Sequence, residues 1–144
     1  MIRYVDFDGT LAHFDRWRGP NNFGRPISSM IKKVKDFIRN GDEVVIFTAR
    51  LTPSKKYKIE DIGLMKQGIE RWCVRNLGKK LRITNTKGNA DVIYDDRCQK
   101  IIQNTGLTEA EFLGTILKSE LKSKRSKKES INRVLEVLMK MQGN

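Results

Sequence analysis

Asp6 and Asp8 stand two residues apart in the run Tyr4-Val5-Asp6-Phe7-Asp8-Gly9-Thr10-Leu11, close to the start of the 144-residue chain. The residues before them, Met1 to Val5, are apolar apart from Arg3, as in a strand buried in a parallel sheet. Two carboxylates at the end of such a strand repel each other and lose hydration. Something must balance them, and a divalent cation is the usual answer. A loop that gathers a nucleophilic carboxylate, a second acid and a metal is a catalytic apparatus. The carboxyl ends of the strands are also where open α/β sheets bind ligands.

The elements that must position these residues can be read from the apolar pattern. Glu43 to Phe47 is a second buried strand, closed by Thr48-Ala49-Arg50. Leu81 to Ile83 is a short third strand, and Ala90 to Tyr94 a fourth, closed by Asp95-Asp96-Arg97. Between them, Ile27 to Asn40 carries Ile27, Met30, Ile31, Val34, Phe37 and Ile38 at helical spacing, with Pro26 before and Asn40-Gly41 after. A second helix is expected from Glu60 to Asn76 on Ile62, Met65, Ile69, Trp72 and Cys73. This alternation predicts an α/β fold, a three-layer Rossmann-like parallel sheet flanked by helices.

Taken together, the four strand ends resemble the ordered signatures of the haloacid dehalogenase superfamily of aspartate-dependent phosphohydrolases. Asp6-Phe7-Asp8-Gly9-Thr10 matches the first, Thr48 after its apolar strand the second, Lys87 the third, and Asp95-Asp96 the fourth. The resemblance covers residues 1–106 and is nearest to short members common in bacteriophages and bacteria, in which Asp-Asp-Arg runs on to Asn-Thr-Gly. Here those are Asp95-Asp96-Arg97 and Asn104-Thr105-Gly106.

The resemblance implies that Asp6 is the nucleophile, forming an aspartyl-phosphate, and that Asp8 is the general acid and then the base. It implies Mg²⁺ held by the Asp6 carboxylate, the Asp8 backbone carbonyl, Asp95 and Asp96. Thr48 would donate its hydroxyl to a phosphoryl oxygen, helped by backbone amides at Phe7, Asp8 and Ala49, and Lys87 would offset charge. The second acid favours phosphoryl chemistry over carbon–halogen cleavage, whose enzymes lack it. Residues 11–26 hold only a loop or small hairpin, and residues 51–86 only a helix and a strand, so a capless enzyme is expected. Its site would be open or covered by an Ala12–Arg25 flap.

Outside the signatures, the residues leave alternatives open. Arg50 holds a substrate phosphate or a terminal carboxylate. Arg97 does the same, or pairs with Asp91 or Asp95. Trp17, between Arg16 and Arg18, either stacks a nucleobase or plugs the flap onto the core. His13, the one histidine, is read as a flap residue.

From residue 107 to 144 the character changes. Thr108-Glu109-Ala110-Glu111 reads as a helix start. The stripes Phe112, Leu113, Ile116, Leu117, Leu121 and Ile131, Val134, Leu135, Leu138, Met139 predict a helical hairpin, packed on the core or on a partner, with a homo-oligomer as one outcome. Between the stripes, Lys122 to Lys128 contains five bases and no acid.

Composition narrows the function classes. Lys and Arg number 29 against 17 acids, a net charge of +12, which favours polyanionic partners. No apolar run is long enough to span a bilayer. Cys73 and Cys98 are far apart and not in metal-binding spacing, so reduced thiols, no signal peptide and a cytoplasmic location are expected. The leading expectation is a Mg²⁺-dependent phosphatase acting on a nucleotide or a nucleic-acid phosphate end. Its rivals are a small-metabolite or sugar phosphatase, a protein phosphatase, and a nucleic-acid-binding accessory protein on the same scaffold.

Overall fold

The computed structural model describes residues 1–55, 58–122 and 126–142. Ser123, Lys124 and Arg125 of the basic run lie outside that range, as do the side chains of Leu121 and Leu138 from the two stripes. The chain divides into two compact units, Met1–Arg97 and Cys98–Asn144.

In the first unit the strands β1 (Ile2–Asp6), β2 (Glu43–Phe47), β3 (Arg82–Thr84) and β4 (Val92–Tyr94) form one sheet in the order β3-β2-β1-β4, every pair parallel. β1 is therefore central, with Tyr4 beside Val45 on one side and Ile93 on the other. β4 is shorter than the expected Ala90–Tyr94, and just before it Asp91 clasps Ile2 of β1. Its N–H donates to the Ile2 carbonyl at 2.8 Å, and its carboxylate accepts the Ile2 N–H at 2.6 Å.

The connections β1 to β2 and β2 to β3 each contain a helix, α1 (Ser28–Arg39) and α2 (Ile59–Leu77). Both crossovers step the same way along the sheet, so right-handed connection puts both helices on one face. Alternation along the strands agrees. Val5, Phe7, Val44, Ile46 and Ile83 share a buried cluster with Met30 and Val34 of α1 and Ile69, Trp72, Cys73 and Leu77 of α2. Burial of α1 rests on that stripe, since its first turn has no side-chain cap. α2 is better anchored, with the Asp61 carboxylate accepting the Lys58 N–H at 2.9 Å. The coarse class read from the sequence, a parallel α/β sheet flanked by helices, is the one found.

The flap is a loop pinched at its base, where His13 N–H donates to the Arg25 carbonyl at 2.8 Å and Ile27 N–H to Leu11 at 2.9 Å. It docks on α2: Trp72 Nε1 donates to the Gly24 carbonyl at 3.0 Å, and the Phe23 ring lies against Gly68. No Cβ fits at Gly68, because it would stand 2.5 Å from Phe23 Cε2.

The second unit holds α3 (Glu109–Lys122) and α4 (Lys127–Gln142). Each begins with reciprocal capping, Thr108 with Glu111 and Ser126 with Glu129. Asn104-Thr105-Gly106, where the sequence reading ends the core, forms a turn within this unit, and Glu120 pairs with Arg133 at 3.2 Å. Among the described residues no helix is long and apolar enough to cross a membrane.

Candidate active site

Because all four strands run the same way, the residues after each emerge at one edge: Asp6 to Asp8, Thr48 to Arg50, Asn85, and Asp95 to Arg97. The chain leaves β1 toward β2 and returns on the other side as β4, so a topological switch point falls between β1 and β4. Asp6 and Asp95 face each other across it.

One carboxylate oxygen each from Asp6, Asp95 and Asp96 lies within 4.8 Å of the others. Hard cations take such oxygen ligands at about 2.0–2.6 Å, so the three acids could hold one between them. The Asp6 carboxyl is pushed up from an ordinary 3.8 to about 7, first by burial, then by the negative charge of Asp95, with smaller contributions from Asp8 and Asp96. The Phe7 backbone N–H offsets only part of this. Such an excess of negative charge is what a divalent cation relieves.

The loop after β1 is tightly folded: the Phe7 carbonyl accepts from Leu11 N–H at 3.1 Å and Ala12 N–H at 2.7 Å. Gly9 sits at φ +92°, and a Cβ there would lie 2.6 Å from Asp96 Oδ2. The glycine thus lets the β1 loop pass directly against the β4 acids. Asp96 N–H in turn donates to Thr10 Oγ1 at 3.1 Å, and Asp95 Oδ1 accepts the Arg97 N–H at 2.7 Å.

Thr48 is 2% exposed and caps the short 3₁₀ turn Ala49–Leu51, its Oγ1 accepting Arg50 N–H at 3.2 Å. That turn delivers the Arg50 side chain to Asp8. Nε donates to Asp8 Oδ2 at 2.5 Å and a terminal nitrogen to Oδ1 at 2.8 Å, a bidentate fork. Arg50 is thus the partner of an acid at the site, where the sequence suggested a ligand for substrate.

These residues line an open cleft of about 630 Å³ that includes Asp6, Asp8, Thr48, Arg50, Asp95 and Asp96. Trp17 lines it as well, its ring 4.9 Å from the Arg50 guanidinium, so the flap closes part of the cleft with an aromatic face. Arg18 pairs with Asp15, and Arg16 and His13 are exposed. Arg97 is exposed, with its Nε 4.0 Å from Asp96. Lys87 is exposed on the β3–β4 loop and is not among the residues lining the cleft, although Asn85, two residues earlier, is. The cleft also takes in Lys55, which the sequence reading did not single out. The only signal was its place in a polar, basic segment shortly after the Thr48 strand end.

Fold and site together define a parallel α/β protein with an acid cluster and a forked Arg–Asp pair at the carboxyl edge of its sheet. No protein-family model and no curated protein matches the chain. Among solved structures it is similar to a conserved protein from Bacteroides thetaiotaomicron, at 18% identity and a TM-score of 0.48 over 86% of this chain and 98% of that one.

Proposed function

We propose that the chain is a capless phosphohydrolase of the haloacid dehalogenase type, acting on a nucleotide or a nucleic-acid phosphate end. The observation that carries this is the convergence of Asp6, Asp95 and Asp96 at the switch point, with Asp8 and the buried Thr48 in the same cleft. We take the cation to be Mg²⁺, held by those three acids and the Asp8 carbonyl; it would neutralise charge on Asp6 and the phosphoryl oxygens.

In this reading an Asp6 oxygen attacks phosphorus, the bond to the leaving oxygen breaks, and an aspartyl-phosphate forms. Asp8 hands its proton to the leaving oxygen. It then takes one from the water that attacks the phosphoryl group, releasing phosphate and restoring Asp6. The fork from Arg50 leaves each Asp8 oxygen a second lone pair on which that proton can travel. The Thr48 hydroxyl steadies a phosphoryl oxygen. Lys87, two residues beyond cleft-lining Asn85, completes the charge balance by swinging in with substrate.

The charge of +12 and the Trp17 face over the cleft support a nucleotide or polynucleotide substrate. We also read α3 and α4 as a helical hairpin, supported by the Glu120–Arg133 ion pair, in a cytoplasmic protein. Self-association is part of this reading, with Leu117, Ile131, Leu135 and Met139 exposed along those helices.

The test is hydrolysis of an aryl phosphate with Mg²⁺, with EDTA and with Asp6→Asn, followed by nucleoside monophosphates, sugar phosphates and 3′- or 5′-phosphorylated oligonucleotides. Metal-dependent turnover lost in Asp6→Asn is expected, with nucleotides or oligonucleotide ends ranked first. Preference for sugar phosphates would move the substrate class. No turnover, with salt-sensitive DNA binding that survives Asp6→Asn, would replace the enzyme with an accessory protein.

A further inference from the structure

We propose that Arg50 is a latch: one guanidinium orients the Asp8 carboxylate and fastens the flap over the cleft, so that flap closure and Asp8 placement are a single event. The effect on turnover rests on the function proposed above; the mechanical coupling does not.

The guanidinium is almost fully engaged. Besides the fork to Asp8, it donates to the flap carbonyls of Pro20 at 3.3 Å and Asn22 at 3.2 Å. That uses four of its five N–H groups. Its flat faces are occupied too, with the Trp17 ring at 4.9 Å, Phe23 at 5.0 Å and Phe7 at 5.9 Å. The side chain is 4% exposed. A substrate phosphate has no route to it without displacing either Asp8 or the flap. Arg50 is therefore a positioning residue.

Bond lengths say which half of the latch gives first. The fork is short and charge-assisted, whereas the two carbonyl bonds are long and neutral at their acceptors. Opening the flap breaks the carbonyl bonds and lifts Trp17 and Phe23 away, while the fork survives but becomes hydrated and free to move. Closing it restores a dry, fixed Asp8 side chain. The flap is also seated on α2, by Phe23 against Gly68 and by Trp72 on Gly24.

The test has a mechanical arm and a kinetic arm. In hydrogen exchange on the full chain, Arg50→Lys and Asp8→Ala should each speed exchange of the flap amides over residues 13–25. The Asp8 result is the telling one, because among the described residues the hydrogen bonds of its side chain go to Arg50 alone. Gly68→Ala crowds Phe23, which packs on the Arg50 guanidinium, and leaves the Arg50 and Asp8 side chains themselves unaltered; it should speed the same amides.

With aryl phosphate and Mg²⁺, Arg50→Lys should lower kcat roughly 10- to 100-fold with a small change in KM, since a lysine cannot hold both oxygens and both carbonyls. Gly68→Ala should also lower kcat. The double variant should be no slower than Arg50→Lys within about twofold, because both break one latch. Unchanged flap exchange in Asp8→Ala, or rate losses that multiply in the double variant, overturns the latch. If Arg50→Lys fails to fold, Asp8→Ala and Gly68→Ala still decide it by exchange. Absence of turnover in the unaltered protein would sink the proposed function and leave the exchange arm to judge the latch.

Discussion

Removing the Asp6 charge should make the metal-free protein more stable. The Asp6 carboxyl stands at about 7 in the folded chain against an ordinary 3.8. The sign follows from proton binding: between these values the folded state holds a proton that the unfolded state has lost, so stability falls as pH rises. The penalty is absent below pH ~4, grows through the window and is complete above pH ~7. Taken whole, the gap is worth about 4 kcal/mol, and solvent screening of this partly buried group trims it to about 2 kcal/mol. At roughly 3–5 °C per kcal/mol for a chain of this size, Asp6→Asn should melt roughly 6–10 °C higher than the unaltered protein at pH 8 in EDTA. At pH 4 the two should melt together. Mg²⁺ at 100 times its Kd should recover about 2.7 kcal/mol for the unaltered protein and far less for Asp6→Asn. Thermal unfolding by circular dichroism across pH 4–8, with EDTA and with Mg²⁺, measures all four quantities. Equal melting at pH 8 would mean that the acids are already balanced, and the case for a cation at the switch point would fall with it.

Two further outcomes follow from the geometry. Gly9→Ala combines a strained φ with a Cβ 2.6 Å from Asp96 Oδ2; it should cost about 1–3 kcal/mol in thermal unfolding and abolish the Mg²⁺-dependent shift. Retention of that shift would mean that the β1 loop and β4 acids need not touch. Burial pushes the Cys73 thiol up to about 12, while Cys98 is exposed, so a thiol reagent at pH 8 should modify Cys98 and spare Cys73 until the chain is unfolded. Peptide mapping after labelling reads this directly, and early modification of Cys73 would contradict the core assignment.

The parts of this molecule that were legible in the sequence are those set by local pattern. β1 and β2 announce themselves as apolar runs, and α1 by a stripe whose Met30 and Val34 are in fact its buried residues. The acids of the cluster were legible because each closes a strand. The crowding of Gly68 by Phe23 was not, since nothing in a helix interior distinguishes a glycine that receives a ring from one that merely costs helix propensity. Lys55 and Lys87 illustrate the same limit. Which lysine lines a cleft depends on where a loop travels after its strand, and loop paths are set by distant packing.

The Arg50–Asp8 pair makes the point most sharply. The two residues are 42 positions apart, and an arginine after a strand reads equally well as a ligand for phosphate. What joins them is register. Parallel pairing of Asp6 with Phe47 sets the loop after β1 beside the turn after β2, and the 3₁₀ turn capped by Thr48 then aims residue 50 back across the sheet edge. A slip of one residue would exchange Val5 and Phe7, packed with α1 and α2, for Tyr4 and Asp6, so that packing favours the observed register. The same strand packing that builds the sheet therefore places a guanidinium on a carboxylate. The chemistry at the sheet edge is a consequence of the core, and a core substitution that shifted β2 against β1 would be read first as a misplaced Asp8.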